Sequence, residues 1–81
     1  MPYLDQCQYR ERDGGYEFTG RCVVTGKPMT VFVKGEELYQ WRKGVLIQNA
    51  LVSNTPDERE FLMSGTSPEG WALLFPPKKE E

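Results

Sequence analysis

Apolar residues alternate with polar ones over the first third of the chain, then switch to helical spacing after Lys34. The alternation is punctuated by glycines. Asp13-Gly14-Gly15-Tyr16 is a hairpin signal, because glycine accepts the positive φ of a type I′ turn. With Gly14-Gly15 as the loop, Asp13 faces Tyr16, Glu11 faces Phe18, Tyr9 faces Gly20 and Cys7 faces Cys22. Facing residues of an antiparallel pair project to one side. This register gathers Cys7, Tyr9, Tyr16, Phe18, Cys22 and Val24 on one face. A second turn, Thr25-Gly26-Lys27-Pro28, sets Val24 against Met29, Cys22 against Val31 and Gly20 against Val33. Two turns thus agree on one apolar face of a three-stranded meander. The other face carries Gln8, Arg10, Arg12, Glu17, Thr19, Arg21, Val23, Thr30, Phe32 and Lys34, polar apart from Val23 and Phe32.

The second half predicts helices. Glu36 to Lys43 begins with acids and ends with bases, as the helix dipole favours, and Gly44 is a natural terminator. Val45 to Leu51 is apolar but too short to assign. Thr55-Pro56-Asp57-Glu58 supplies an N-cap, a first-turn proline and the glutamate of a capping box. That helix buries Phe61 and Leu62 and stops near Gly65. Ser67-Pro68-Glu69 repeats the start signal, Trp71, Leu74 and Phe75 form a stripe, and Pro76-Pro77 ends it.

The expected fold class is α+β: a three-stranded antiparallel meander followed by two to three short helices packed on one sheet face. At 81 residues the chain is one small domain, residues 1–75, with a frayed charged tail at 76–81. Tyr16, Phe18, Trp41, Phe61 and Trp71 are the expected anchors of the core.

Charge narrows the partners. Residues 1–44 carry seven bases and six acids, a net +1, and residues 45–81 three bases and six acids, a net −3. The first half therefore tolerates an anion and the second repels one. No apolar run approaches the ~20 residues that span a bilayer, and the N-terminus does not read as a signal peptide. The expected location is the cytoplasm, where the two cysteines stay reduced.

Candidate chemistry is sparse. The chain has no histidine, so neither cysteine has the usual base, and both read as small buried hydrophobes. The adjacent Glu36 and Glu37 diverge on a helix, and Asp57, Glu58 and Glu60 serve a helix start. Gly65-x-x-x-x-Gly70 lacks the lysine of a phosphate loop. No enzyme is expected, and no cofactor or metal. Arg10, Arg12, Arg21 and Lys34 share the polar sheet face with Phe32, an arrangement able to stack and neutralise single-stranded nucleic acid or to remain a solvated face. Val23 and Phe32 on that face also read as a protein-contact patch.

Trp41-x-x-Gly44-x-x-Ile47-Gln48-x-Ala50, then Glu58-Arg59-Glu60-x-Leu62-x-Ser64-Gly65, then Pro68 and Trp71, resembles a family of small phage and bacterial zinc-ribbon-like proteins of unknown activity. In that family the pattern reads W-x-x-G-x-x-I-Q-x-A, S-x-x-E-R-E-x-L-I-S-G and C-P-x-C-W, after an earlier C-x-x-C. The resemblance covers residues 20–75. It implies a four-thiolate zinc site, but Cys22-Val23-Val24-Thr25 and Ser67-Pro68-Glu69-Gly70 retain one thiol of the four, so this chain reads as a relative that lost its metal. It also makes the Gln48-Asn49 pair and Arg59 a shared binding site, alongside the structural alternative that Gln48 and Arg59 bond the inter-helix backbone. The function so implied is that of a phage or prophage accessory protein in the host cytoplasm. It would act by protein–protein binding through Val23, Phe32, Gln48 and Arg59 and modulate a host or phage protein. The alternative is a nucleic-acid-binding module using Arg10, Arg12, Arg21, Phe32 and Lys34.

Overall fold

The computed structural model describes residues 2–76. A 3-10 turn, Tyr3–Gln6, leads into strands β1 (Gln8–Arg12), β2 (Gly15–Arg21) and β3 (Pro28–Lys34). Helices α1 (Gly35–Arg42), α2 (Ile47–Ala50), α3 (Pro56–Ser64) and α4 (Pro68–Leu74) follow. The strands form one antiparallel sheet in the order β1-β2-β3, the α+β meander that the alternation predicts. Val45 to Leu51 resolves into α2, so the helices number four rather than two to three. The last five residues of the expected tail, 77–81, lie outside the described residues.

Both strand registers differ from expectation, each by an even number of residues. Asp13-Gly14 is the first loop, so Tyr9 faces Phe18 and Glu11 faces Tyr16. Gly14 takes the positive φ, at 83°, and Gly15 joins the strand. Gly15 has no room for a side chain, because a Cβ would lie 2.1 Å from the Val33 carbonyl oxygen and 2.9 Å from the Phe32 ring. The second connection is longer than a two-residue turn. Arg21 pairs with Pro28, and residues 22–27 form a loop closed by Cys22 N–H to Lys27 O at 2.9 Å and Gly26 N–H to Cys22 O at 2.8 Å. Even shifts preserve the face that each side chain takes, whereas a one-residue slip inverts it. Cys7 consequently lies against Gly20, and Cys22 is off the sheet in the loop.

The core comprises Leu4, Phe18, Cys22, Val31, Val33, Ala50, Leu51, Phe61 and Leu62. Each large member contributes roughly 1.5–3 kcal/mol by leaving water. Tyr16 and Trp41 are half-buried against this cluster. Trp71 departs from expectation: it is 36% exposed and stacks on Phe75, ring centroids 5.5 Å apart, with Leu73, Leu74 and Phe75 more open still. The sheet is already roofed by α1, and Leu4 of the N-terminal turn takes an interior place that the sequence pattern did not provide for.

The helix ends behave as their residues dictate. Thr55 and Glu58 form the reciprocal capping box of α3, Ser67 caps α4 by accepting the Gly70 N–H, and Gly65 ends α3 in the left-handed region. Among the described residues no helix is long and apolar enough to cross a membrane.

Candidate functional site

The helical roof is narrower than the sheet. Helix α1 packs on β2 and β3, while β1 packs chiefly on β2 and all its residues are exposed. The strand explains this: between Gln8 and Arg12 the one large apolar side chain is Tyr9, too little to hold a helix over it. Tyr9, expected in the core, is 67% exposed. Beneath it opens a cavity of about 320 Å3. Leu4, Cys7, Tyr9, Tyr16, Phe18 and Leu38 line it. The Tyr9 ring centroid lies 5.9 Å from both Tyr16 and Phe18. Arg42 Nη1 meets Asp5 Oδ1 at 2.9 Å on the rim, so the charged edge is internally neutralised. Cys7 donates its S–H to the Tyr3 carbonyl at 3.6 Å, and burial pushes its pKa up, which keeps it a neutral thiol.

The backbone of β1 is also unpaired along one side. In a two-residue hairpin the closing pair, here Arg12 with Gly15, exchanges both hydrogen bonds, and pairs then alternate along the ladder. The N–H and C=O of Gln8, Arg10 and Arg12 therefore face β2, and those of Tyr9 and Glu11 face outward. The same alternation leaves Thr19 and Thr30 as a close pair, Oγ1 to Oγ1 2.9 Å, and turns the Phe32 carbonyl to the far edge of β3. That far edge is plugged, since Asn54 Nδ2 donates to Phe32 O at 2.8 Å. The β1 edge has no such plug among the described residues.

The residues singled out from the sequence are dispersed. Arg10, Arg12, Arg21, Lys34 and Phe32 do share the outer sheet face, but Arg12 is bound to Glu17 at 2.9 Å and Arg21 donates to the Gly26 carbonyl at 2.8 Å. Phe32, 39% exposed, spreads its ring over Gly15. Val23 has left the sheet: its N–H bonds Gly65 O at 2.8 Å, so it does not adjoin Phe32 in the strand ladder. Arg59 donates to the Leu51 carbonyl at 3.2 Å and ties α3 to the end of α2, and Gln48 is exposed on α2.

Cys22 is more polar than a small buried hydrophobe. It is 2% exposed, and its sulfur accepts the amides of Val24, Thr25 and Ser67 at 3.4, 3.5 and 3.3 Å. Burial pushes the thiol up, but these bonds and that of the Ser67 hydroxyl outweigh burial and lower its pKa to about 6. The positions that the resemblance equates with zinc ligands, Cys22, Thr25, Ser67 and Gly70, belong to the 22–27 loop and to the start of α4, which meet at this sulfur. They do not fit a structural zinc. One thiolate is present, its lone pairs are taken by backbone amides, and a Cβ on Gly70 would sit 2.7 Å from the sulfur. Among the described residues no three His, Cys, Asp or Glu side chains gather as a metal site.

No protein-family model, curated protein or solved structure matches the chain.

Proposed function

We propose that the protein works by binding another protein, with the uncovered β1 half of the sheet as its contact surface. One observation carries this reading: the helical layer stops short of β1, and an aromatic-lined cavity of about 320 Å3 lies directly beside a free strand edge. Binding surfaces combine an apolar recess for an anchor with backbone groups that fix direction. Tyrosine adds large contact area with little entropy to lose, which makes Tyr9 the leading anchor. The resemblance to small phage and bacterial proteins supports a host or phage protein as the partner and an accessory, modulating role in the host cytoplasm. Catalysis has no support: the one thiolate, Cys22, is closed off by the core.

Immobilised protein is expected to capture a partner from extracts of its own host. Capture should fall by at least about tenfold on Tyr9→Glu, which sets a carboxylate at the mouth of an apolar recess. Tyr9 is mostly exposed, so the fold should survive, and circular dichroism checks that. Capture that ignores Tyr9→Glu contradicts the reading.

The outer face supports a second reading, as a nucleic-acid-binding module. Arg10 and Lys34 have no ion-pair partner among the described residues and share the outer face with Phe32, Lys34 two residues along its strand and Arg10 beyond Glu17. Oligonucleotide binding that weakens steeply with salt and on Arg21→Glu would favour it.

A further inference from the structure

Resting on the protein-binding reading, we propose that β1 receives an extended acidic–apolar segment of the partner as a fourth strand of the sheet. The outward-facing groups of Tyr9 and Glu11 alternate with the inward-facing groups of Arg10 and Arg12. A strand laid along this edge pairs its own hydrogen-bonding residues with Tyr9 and Glu11. Those same residues project to the inner face of the sheet, over the cavity lined by Tyr16 and Phe18. Their neighbours project to the outer face, beside Gln8, Arg10 and Arg12.

The chemistry of the segment follows from the two faces. The inner position opposite Tyr9 meets aromatic rings and Leu38 and calls for a leucine-like or aromatic side chain, and the one opposite Glu11 lies beside Tyr16, where an uncharged apolar side chain avoids the Glu11 carboxylate. Outer positions meet Arg10, which has no ion-pair partner among the described residues, and Arg12, whose carboxylate partner Glu17 is on the far side from the edge. They call for glutamate or aspartate, since opposite charges across a ladder attract. A second copy of the chain is a poor occupant. The antiparallel register that pairs all of β1 with itself centres on Arg10 and sets two guanidinium groups against each other.

The test uses the intact protein and an acetylated, amidated nonapeptide alternating glutamate and leucine. Saturating peptide should slow amide exchange at Tyr9 and Glu11 by about tenfold or more, because only these β1 amides gain a partner. In this register every leucine N–H points at β1 and every glutamate N–H points away. N-methylation of two leucines should therefore weaken binding by at least about tenfold. N-methylation of two glutamates should leave it nearly unchanged. A lysine–leucine peptide should bind at least about tenfold more weakly, and Arg10→Glu should reverse that preference. Equal binding of the two N-methylated peptides, or no binding at about millimolar peptide, overturns strand addition. Self-association that protects the Tyr9 and Glu11 amides without peptide overturns it too. Partner capture that still depends on Tyr9 would then leave the protein-binding reading standing, whereas loss of that dependence removes both.

Discussion

Unfolding the protein at a series of pH values is expected to show stability rising from about pH 6 to about pH 9, with no Cys22 contribution left below that window. The cause is Cys22. Its pKa is lowered in the fold from 9.0 to about 6, so the folded state prefers the thiolate and the unfolded chain keeps the thiol until near pH 9. The stabilisation is fully present above the unfolded value and is lost as pH falls through the folded one. The effect is a sizeable share of the small margin that a chain of this size possesses. Cys7 acts in the opposite sense: its raised pKa adds stability below 9 that is lost at higher pH. The Cys22→Ser variant should flatten the rise, because a hydroxyl does not ionise in this range. Excess chelator should leave the curve unmoved, since the residues around the Cys22 sulfur do not fit a metal. A wild-type curve flat from pH 6 to 9 would contradict the picture of a sulfur anion bound by amides.

Gly65→Ala is expected to destabilise the protein by about 3 kcal/mol or more, measured by urea unfolding. Two causes combine. Gly65 ends α3 at φ 82°, a conformation that costs an L residue about 1 kcal/mol. A Cβ there would also lie 2.8 Å from the Tyr3 ring. That ring is wedged between the end of α3 and Gly20 of β2, where a Cβ would approach it at 2.9 Å. It meets Phe61 edge-on, centroids 5.5 Å apart, and donates its hydroxyl to the Arg21 carbonyl. Removing the ring removes the overlap. In a Tyr3→Ala background, Gly65→Ala should therefore cost only its backbone part, about 1 kcal/mol. Additive losses would show that Tyr3 does not clamp the strand to the helix.

Face, fold class and helix ends were legible because each rests on local chemistry. Thr55, Glu58, Gly65 and Ser67 act through residues at most four positions away. Strand register was legible only in parity. Alternation decides which side Phe18 and Val31 take, but Asp13-Gly14 and Gly14-Gly15 are both acceptable hairpin centres. What chooses between them is distant: the Val33 carbonyl and Phe32 ring that occupy the space beside Gly15. The longer second loop likewise depends on amides from Val24, Thr25 and Ser67 gathering on one sulfur, which brings residue 22 against residue 67. Tyr9 could be placed on a face, but its exposure depends on how far the helices reach. The polarity of Gln8–Arg12 was the available signal that they do not reach it.

A contact surface on β1 requires that the strand stand free of any cover. Amide exchange on the protein alone measures this residue by residue. The amides of Tyr9 and Glu11 should exchange rapidly, and those of Arg10 and Arg12, bonded to β2, should be protected by at least about tenfold more. Equal protection at all four positions would mean that something already covers the edge, and no free surface would remain there for a partner.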